Sequence, residues 1–198
     1  MTHTEDGTSL PLVESARLLG AYRWIEFRLF EVLGSWVAGE SDPEARLFFD
    51  VHSKHHAWHS ELWAERIPTV AGVCDPETVS IAPGPGTEHL LGLLGAESGE
   101  HGGGTLLRLV ALARVVYPRL VSGYSRHLRA AHEVTDAPVI RALQLTLLDE
   151  TEAWHTSELV VQGYIRRPHD VEVLTAHQQR LEELVAGVGP GLVDWPGN

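Results

Sequence analysis

Apolar residues recur at steps of three and four along four long stretches of the chain, which is the spacing of one face of an α-helix. The first stretch covers residues 11–38, and its repeating positions are Leu18, Leu19, Tyr22, Ile25, Leu29 and Leu33. Residues 43–66, 105–131 and 138–165 have the same periodicity. The turn Ser41-Asp42-Pro43 supplies a helix cap and a first-turn proline. The pattern therefore predicts four long helices, the third of them kinked at Pro118.

A segment of different composition separates the second helix from the third. Residues 68–104 are rich in glycine and contain Pro68, Pro76, Pro83 and Pro85. A connection of this length is unusual in a compact domain, but it suits a crossover that runs along a helical bundle. Within the crossover we expect a short extended piece in 70–81, a short helix over 87–94 and a flexible loop over 99–104.

The remainder of the chain is simpler. Residues 171–185 predict a fifth, shorter amphipathic helix, and residues 187–198 form a Gly/Pro tail from which Trp195 is expected to dock back. Residues 1–10 are polar and are expected to be flexible. The whole chain, 1–198, is thus predicted to be one all-α domain. Its fold would be a four-helix bundle of two helix pairs joined by a long crossover, with a short C-terminal helix.

Charge and composition exclude several classes of function. The net charge of -12 argues against a nucleic-acid partner, which would require a basic stripe. No run of 18 uncharged apolar residues occurs, so no membrane span is expected. The single cysteine, Cys74, allows no internal disulfide, and the first residues lack the succession of a secretory signal. A cytoplasmic location is therefore predicted. Separately, the chain uses Ala, Gly, Val, Leu and Arg heavily and contains little Lys, which is typical of a protein from a GC-rich bacterial genome.

Two short motifs in the second and fourth helices resemble each other. The first is His56-Ala57-Trp58-His59, and the second is Glu152-Ala153-Trp154-His155. Residues i and i+3 lie on one face of a helix, so each motif can aim two ligand-type side chains at one point. Leu148 and Leu159 lie at helical spacing from Glu152 and His155, which predicts that this pair faces inward. A buried carboxylate is costly unless it is bonded, paired or bound to a cation.

Further candidates lie on the same predicted inner faces. Glu26 sits among apolar residues of the first helix, and His52 extends the histidine stripe of the second. Tyr22, Phe30, Tyr117 and Tyr124 are candidates for the wall of a substrate pocket. The structural alternative is a polar layer of hydrogen-bonded Glu and His in the core, with the aromatic residues serving only to pack the helices.

On these residues the chain resembles the ferritin-like superfamily, in its branch of di-iron oxygenases and oxidases. The resemblance covers residues 11–168 and implies that Glu26, His59, Glu152 and His155 occupy ligand positions. Two departures matter: His56 stands where the family has a bridging Glu, and the third helix has no carboxylate. Fewer carboxylates favour one metal ion over two. A set of two histidines and one carboxylate suits non-haem iron(II), while Zn, Ni or Mn remain open.

Three functions follow as hypotheses. The first is an iron-dependent oxidoreductase that acts on a small molecule with dioxygen. The second is a DinB-like non-redox transferase or isomerase, with His52, His59 and His155 as ligands. The third is a ferritin-like binding protein that has lost catalysis. No residue is assigned a catalytic role, and the fifth helix is a candidate for a homodimer interface.

Overall fold

A computed structural model of the chain describes residues 10–70, 74–96, 104–189 and 191–195, and in these ranges the regular elements are helices. In chain order they are α1 Leu12–Gly39, α2 Pro43–Ala64, α3 Pro76–Val79, α4 Pro85–Ala96, α5 Gly104–Ala111, a π-helical segment Leu112–Val116, α6 Tyr117–Ala130, α7 Ala137–Tyr164 and α8 Pro168–Leu184. The predicted all-α class is confirmed. The predicted long helices match α1, α2, the run from α5 to α6, and α7 within a few residues.

Local chemistry explains where α2 begins. The Asp42 carboxylate accepts hydrogen bonds from the backbone N–H groups of Glu44 and Ala45, at 2.9 and 3.1 Å. These two donors have no partner within the helix, so the cap satisfies them. Pro43 occupies the first turn, where its missing N–H costs nothing. The predicted turn therefore acts as expected.

The third long helix is interrupted just before Pro118, by the π-helical segment Leu112–Val116. Proline has no N–H to donate to the carbonyl four residues earlier, so a regular α-helical ladder cannot pass through it. The Tyr117 N–H instead donates to the Leu112 carbonyl, five residues back, which widens the turn. The sequence predicted an irregularity at this proline, and the structure places a π turn immediately before it.

The long helices pack as two pairs. The first pair is α1 with α2, the second is the α5–α6 run with α7, and α2 contacts α7 across the pairs. α4 lies against α1, where the Trp36 indole N–H donates to the Leu94 carbonyl at 3.1 Å. α8 packs on α5. Large buried side chains such as Trp36, Trp63 and Phe49 fill the space between these elements.

The crossover and the tail contain the predicted local features in part. In the described part of 70–81, the expected extended piece corresponds to one bridge between Val70 and Cys74, followed by the short helix α3. The predicted short helix over 87–94 is part of α4. Residues 1–9 and 97–103, which include the expected flexible N-terminus and loop, lie outside the described residues. Trp195 docks as predicted, with its ring 5.4 Å from that of His127. No described helix has the length and apolar character needed to cross a membrane.

A substitution at Gly20 tests how closely the crossover packs against α1. A Cβ at this position would collide with the Val79 carbonyl at the end of α3. We expect Gly20→Ala to lower the free energy of unfolding by about 1–3 kcal/mol, the usual cost of overpacking. Gly92 in α4 has open space around its Cα, so Gly92→Ala should stabilise the protein by about 0.5–1 kcal/mol. Urea denaturation measures both, and equal effects would contradict this packing.

The buried side chain of His127 is expected to lower the free energy of unfolding in mild acid. Burial lowers the pKa of His127 to about 4, although Asp136 opposes that shift. The unfolded chain, with a pKa near 6.5, then binds a proton that the folded protein does not, so stability falls as pH drops below about 6.5. Between pH 7.5 and 5.0 His127 alone should contribute about 2 kcal/mol to that loss. Urea titrations at both pH values should show a smaller loss for His127→Gln, and an unchanged loss would contradict the assignment.

Candidate metal centre

Three helices bring two carboxylates and two imidazoles together in the core. Glu26 comes from α1, His56 and His59 from α2, and Glu150 from α7. Each offers one possible ligand atom, and these atoms all lie within 4.8 Å of one another. All four side chains are almost completely buried. The arrangement is the type of ligand group that divalent transition metals bind.

Helical periodicity explains why these side chains converge. His56 and His59 are three residues apart and share the inner face of α2. Glu26 lies on the buried stripe of α1 beside Ile25 and Leu29. Each helix thus contributes a polar residue to a face that is otherwise apolar, and the packing of the helices directs the four side chains toward one another.

The distances between the polar atoms fit a small cation. Nδ1 of His56 lies 2.6 Å from Glu26 Oε2 and 3.4 Å from Glu150 Oε1. Nδ1 of His59 lies 3.6 Å from Glu26 Oε2 and 3.2 Å from Glu150 Oε1. Donors bonded at about 2.0–2.1 Å to a tetrahedral ion are about 3.3 Å apart. The four nitrogen-to-oxygen distances lie on both sides of that value, so small shifts of the side chains would bring all four donors within bonding distance of one ion.

Several buried atoms at this point have no hydrogen-bond partner among the described residues. They are His56 Nε2, His59 Nδ1, Glu150 Oε2 and the Tyr117 hydroxyl. Buried polar groups are almost always bonded, so a cluster of orphaned atoms requires an explanation. A bound ion would satisfy the His59 nitrogen and the Glu150 carboxylate together.

Neighbouring side chains hold two of the candidate ligands in place. Nε2 of His59 lies 3.1 Å from Asp149 Oδ2, and the Tyr124 hydroxyl donates a short hydrogen bond to Glu26 Oε1. When His59 donates its Nε2 proton to Asp149, its Nδ1 presents a lone pair toward Glu26 and Glu150. Histidine ligands of metal ions commonly donate their second nitrogen to a carboxylate in this way.

Electrostatics require positive charge between the two carboxylates. Burial alone would raise the pKa of Glu26, but the imidazoles of His56 and His59 outweigh burial and lower it. Burial likewise opposes protonation of His59, yet Glu26, Asp149 and Glu150 together raise its pKa. Either protonated imidazoles or a metal cation can supply the charge that balances the carboxylates.

The two tyrosines beside the carboxylates remain protonated. Burial, followed by the negative charges of Glu26 and Glu150, raises the pKa of both Tyr117 and Tyr124 well above the usual value. Tyr124 is therefore a hydrogen-bond donor to Glu26 rather than an anionic ligand.

The structure corrects the predicted contribution of the fourth helix. Glu152 and His155 are exposed on the outer side of α7, and so are the flanking Leu148 and Leu159. Each helical residue turns by about 100°, so a position two residues from Glu150 points to the opposite side. The prediction that Glu152 and His155 are metal ligands is wrong. The two Ala-Trp-His segments do not present the same face to the core.

Glu150 is the ligand candidate that the sequence pattern missed. Its buried neighbours on α7 are mostly small or polar, namely Ala142, Leu143, Thr146, Ala153, Ser157 and Val161. That stripe has helical spacing and could have revealed the inner face. It was overlooked because Leu148 and Leu159 form a more hydrophobic stripe on the other side of the helix.

His52 lies outside the four-residue group, so the predicted additional ligand does not join it. Its Nδ1 is 2.7 Å from the Phe48 carbonyl and its ring stacks on Phe48, with centroids 3.9 Å apart. Burial lowers the pKa of His52 to about 4. The residue is a buried, neutral histidine that bonds to its own helix.

The predicted pocket residues separate into two groups. Tyr22, Tyr117 and Tyr124 are buried near the site, and the rings of Tyr22 and Tyr124 pack edge to face at 4.8 Å. Phe30 is exposed and contacts Phe27 instead, so its assignment to the pocket is wrong. Tyr117 lies beside His52 and His56, with its ring stacked on that of His56 at 6.0 Å. A cavity of about 630 Å³ lies elsewhere, between the first turns of α1, the segment around Val79 and Ile81, and Val193.

Comparisons with protein-family models, curated proteins and solved structures gave no match. A metal centre is therefore inferred from the geometry of the four buried side chains alone.

Glu150 and Glu152 provide a matched test of this geometry. We expect Glu150→Gln to weaken binding of Zn²⁺ or anaerobic Fe²⁺ by more than the 10–100-fold typical of outer-sphere partners. Glu152→Gln makes the same chemical change on the exposed face of the same helix and should leave binding unaltered. Isothermal titration calorimetry on protein without a His-tag measures both affinities. Equal affinities for the two variants would place the ion elsewhere.

Proposed function

We propose that the protein binds one iron(II) ion at Glu26, His56, His59 and Glu150 and oxidises a small molecule with dioxygen. The observation that carries the proposal is the buried group of two imidazoles and two carboxylates, whose candidate ligand atoms lie within 4.8 Å of one another. Within it, His59 Nδ1 and Glu150 Oε2 have no hydrogen-bond partner among the described residues. Two histidines with one carboxylate are the ligand set of many non-haem iron oxygenases. Here the second carboxylate is available either to bind the ion or to accept a proton.

The charges favour one ion rather than two. A single divalent cation balances Glu26 and Glu150 when both histidines are neutral, which leaves no net charge in the core. The helix that would supply a further carboxylate contributes the protonated phenol of Tyr124 instead. A second ion would lack anionic ligands and would be repelled by the first.

The arrangement of the helices supports a ferritin-like bundle as the scaffold. Two helix pairs are joined by the crossover, and the site lies between them. The ligand set proposed here departs from the family pattern, because α7 supplies Glu150 without a histidine three residues later. Ala153 occupies that position.

The chain's own residues would position the ligands and keep the site dry. Tyr124 fixes one oxygen of Glu26, and Asp149 orients the His59 ring. Tyr22 and Trp63 close the space beside Tyr124, with ring centroids 4.8–5.5 Å apart. Bound iron(II) would supply the electrons that activate dioxygen, and an external reductant would complete the reaction.

The experiment is to load the protein with one equivalent of Fe²⁺ without oxygen and then admit dioxygen in the presence of ascorbate. We expect oxygen consumption that is faster than with free Fe²⁺ and that is lost in Glu150→Gln but kept in Glu152→Gln. The fold of each variant is checked by circular dichroism. Oxygen consumption no faster than with free Fe²⁺ would contradict the redox function.

One structural observation favours a competing function, a binding protein that has lost catalysis. A protonated His59 can offset the negative charge of Glu26 and Glu150 without a metal, and its raised pKa is consistent with that state. Such a protein would bind none of Fe²⁺, Zn²⁺, Ni²⁺ or Mn²⁺, and chelators would not change its melting temperature. The DinB-like alternative loses its predicted ligands, because His155 is exposed and His52 bonds to Phe48.

A further inference from the structure

Two antiparallel helices, α2 and α7, form one outer surface of the protein. His59 near the end of α2 bonds to Asp149, and Asp42 before α2 lines the same pocket as Tyr164 at the end of α7. Moving toward the start of α2 therefore means moving toward the end of α7. By this register Leu47 is level with Leu159, and Trp58 is level with Leu148.

Large apolar side chains are exposed along both helices of this face. On α2 they are Leu47 at 63%, Val51 at 37% and Trp58 at 43% exposure. On α7 they are Leu148 at 66% and Leu159 at 69%. Their spacings of four, seven and eleven residues place each set on one stripe of its helix. We call these five residues the α2–α7 face.

The exposed area matches one side of a stable interface. If each of these side chains has a full accessible area of about 150–250 Å², the exposed fractions together leave about 500 Å² of apolar surface in water. A standard interface buries about 800 Å² per partner, of which about two thirds is apolar in a homodimer. The face thus has the apolar area that a dimer interface requires, and it falls within the range of about 300–600 Å² for the largest apolar patch of a protein surface, which is often functional.

We propose that the α2–α7 face binds the same face of a second copy of this chain around a two-fold axis. The axis would lie in the contact plane and run across both helices near their middle, so that the Leu47 and Leu159 end of one copy covers the Trp58 and Leu148 end of the other. Both ends of the face are apolar, so such a pairing is self-complementary. The proposal does not depend on the metal centre or on the proposed oxidation.

Polar residues at the centre of the face support a homotypic partner. Exposed Glu152 and His155 lie on either side of the midpoint of α7 between Leu148 and Leu159, and exposed His55 lies beside them on α2. Rotation about the axis brings His155 of one copy level with Glu152 of the other, so an imidazole meets a carboxylate. A partner whose surface carries charge of only one sign would leave either the imidazoles or the carboxylates of this face unpaired.

The fifth predicted helix is a weaker candidate for the interface. Its exposed apolar residues in α8 are Val171 and Val173, and two residues along a helix turn the side chain by about 200°. These two valines cannot share one stripe, so α8 lacks the continuous apolar face that the earlier prediction required.

The test is the oligomeric state of the full chain, measured by light scattering after size exclusion and by sedimentation equilibrium. We expect a dimer at micromolar concentration. The two copies of Leu159 lie at opposite ends of the dimer contact, so Leu159→Glu places a carboxylate at each end. This substitution should raise the dissociation constant of the dimer at least about 30-fold, as at a hot-spot residue. Ile81→Glu is the matched control, because Ile81 is 63% exposed outside this face, and it should leave the dimer intact.

Three outcomes would overturn the proposal: a wild-type monomer at all concentrations up to about 100 µM, equal weakening by Ile81→Glu and Leu159→Glu, or a dimer that Leu159→Glu leaves unchanged. Both substitutions are at exposed positions, so retained helicity and melting temperature are expected for the two variants. Trp58→Ala provides a second variant on the other end of the face and should also weaken the dimer.

Discussion

The buried approach of Glu26 and Glu150 is the interaction on which the rest of the site depends. Two carboxylates that face each other inside a protein repel strongly, and each has lost its hydration. Positive charge between them relieves this repulsion, and His56 and His59 are the groups placed to bond to both carboxylates or to hold a cation between them. The packing of α1, α2 and α7 is therefore tied to the chemistry of four side chains.

This requirement extends to the residues around the four. Tyr124 reaches Glu26 from α6, and Asp149 reaches His59 from α7, so helices of both pairs hold the site together. Removing one partner from a buried charged pair costs about 3–5 kcal/mol, because the remaining charge is left uncompensated. Polar groups that are so costly to bury persist in a core when they have a role, and ligand binding is the role that this geometry fits best.

Much of the helical architecture could be predicted from the sequence, because apolar periodicity and caps such as Asp42 are local signals. Glu26, His56 and His59 could be placed at the site for a similar reason: Glu26 lies among the apolar positions of α1, and the three-residue spacing of His56 and His59 puts them on one face of α2. On α7 the local signal failed. Exposed leucines made the outer face look like the core, and only the packing of α7 against α2 shows that Glu150 points inward.

The site joins parts of the chain that are far apart in sequence. His59 and Asp149 are 90 residues apart, and Glu26 and Tyr124 are 98 apart. No single helix or helical hairpin contains the complete set, so a partly folded chain with all its helices formed would still lack the site. An ion that requires all four ligands would consequently respond to the assembly of tertiary structure and would be insensitive to helix content. Its spectrum would distinguish a native bundle from a collapsed helical intermediate, two states that circular dichroism in the far ultraviolet scarcely separates.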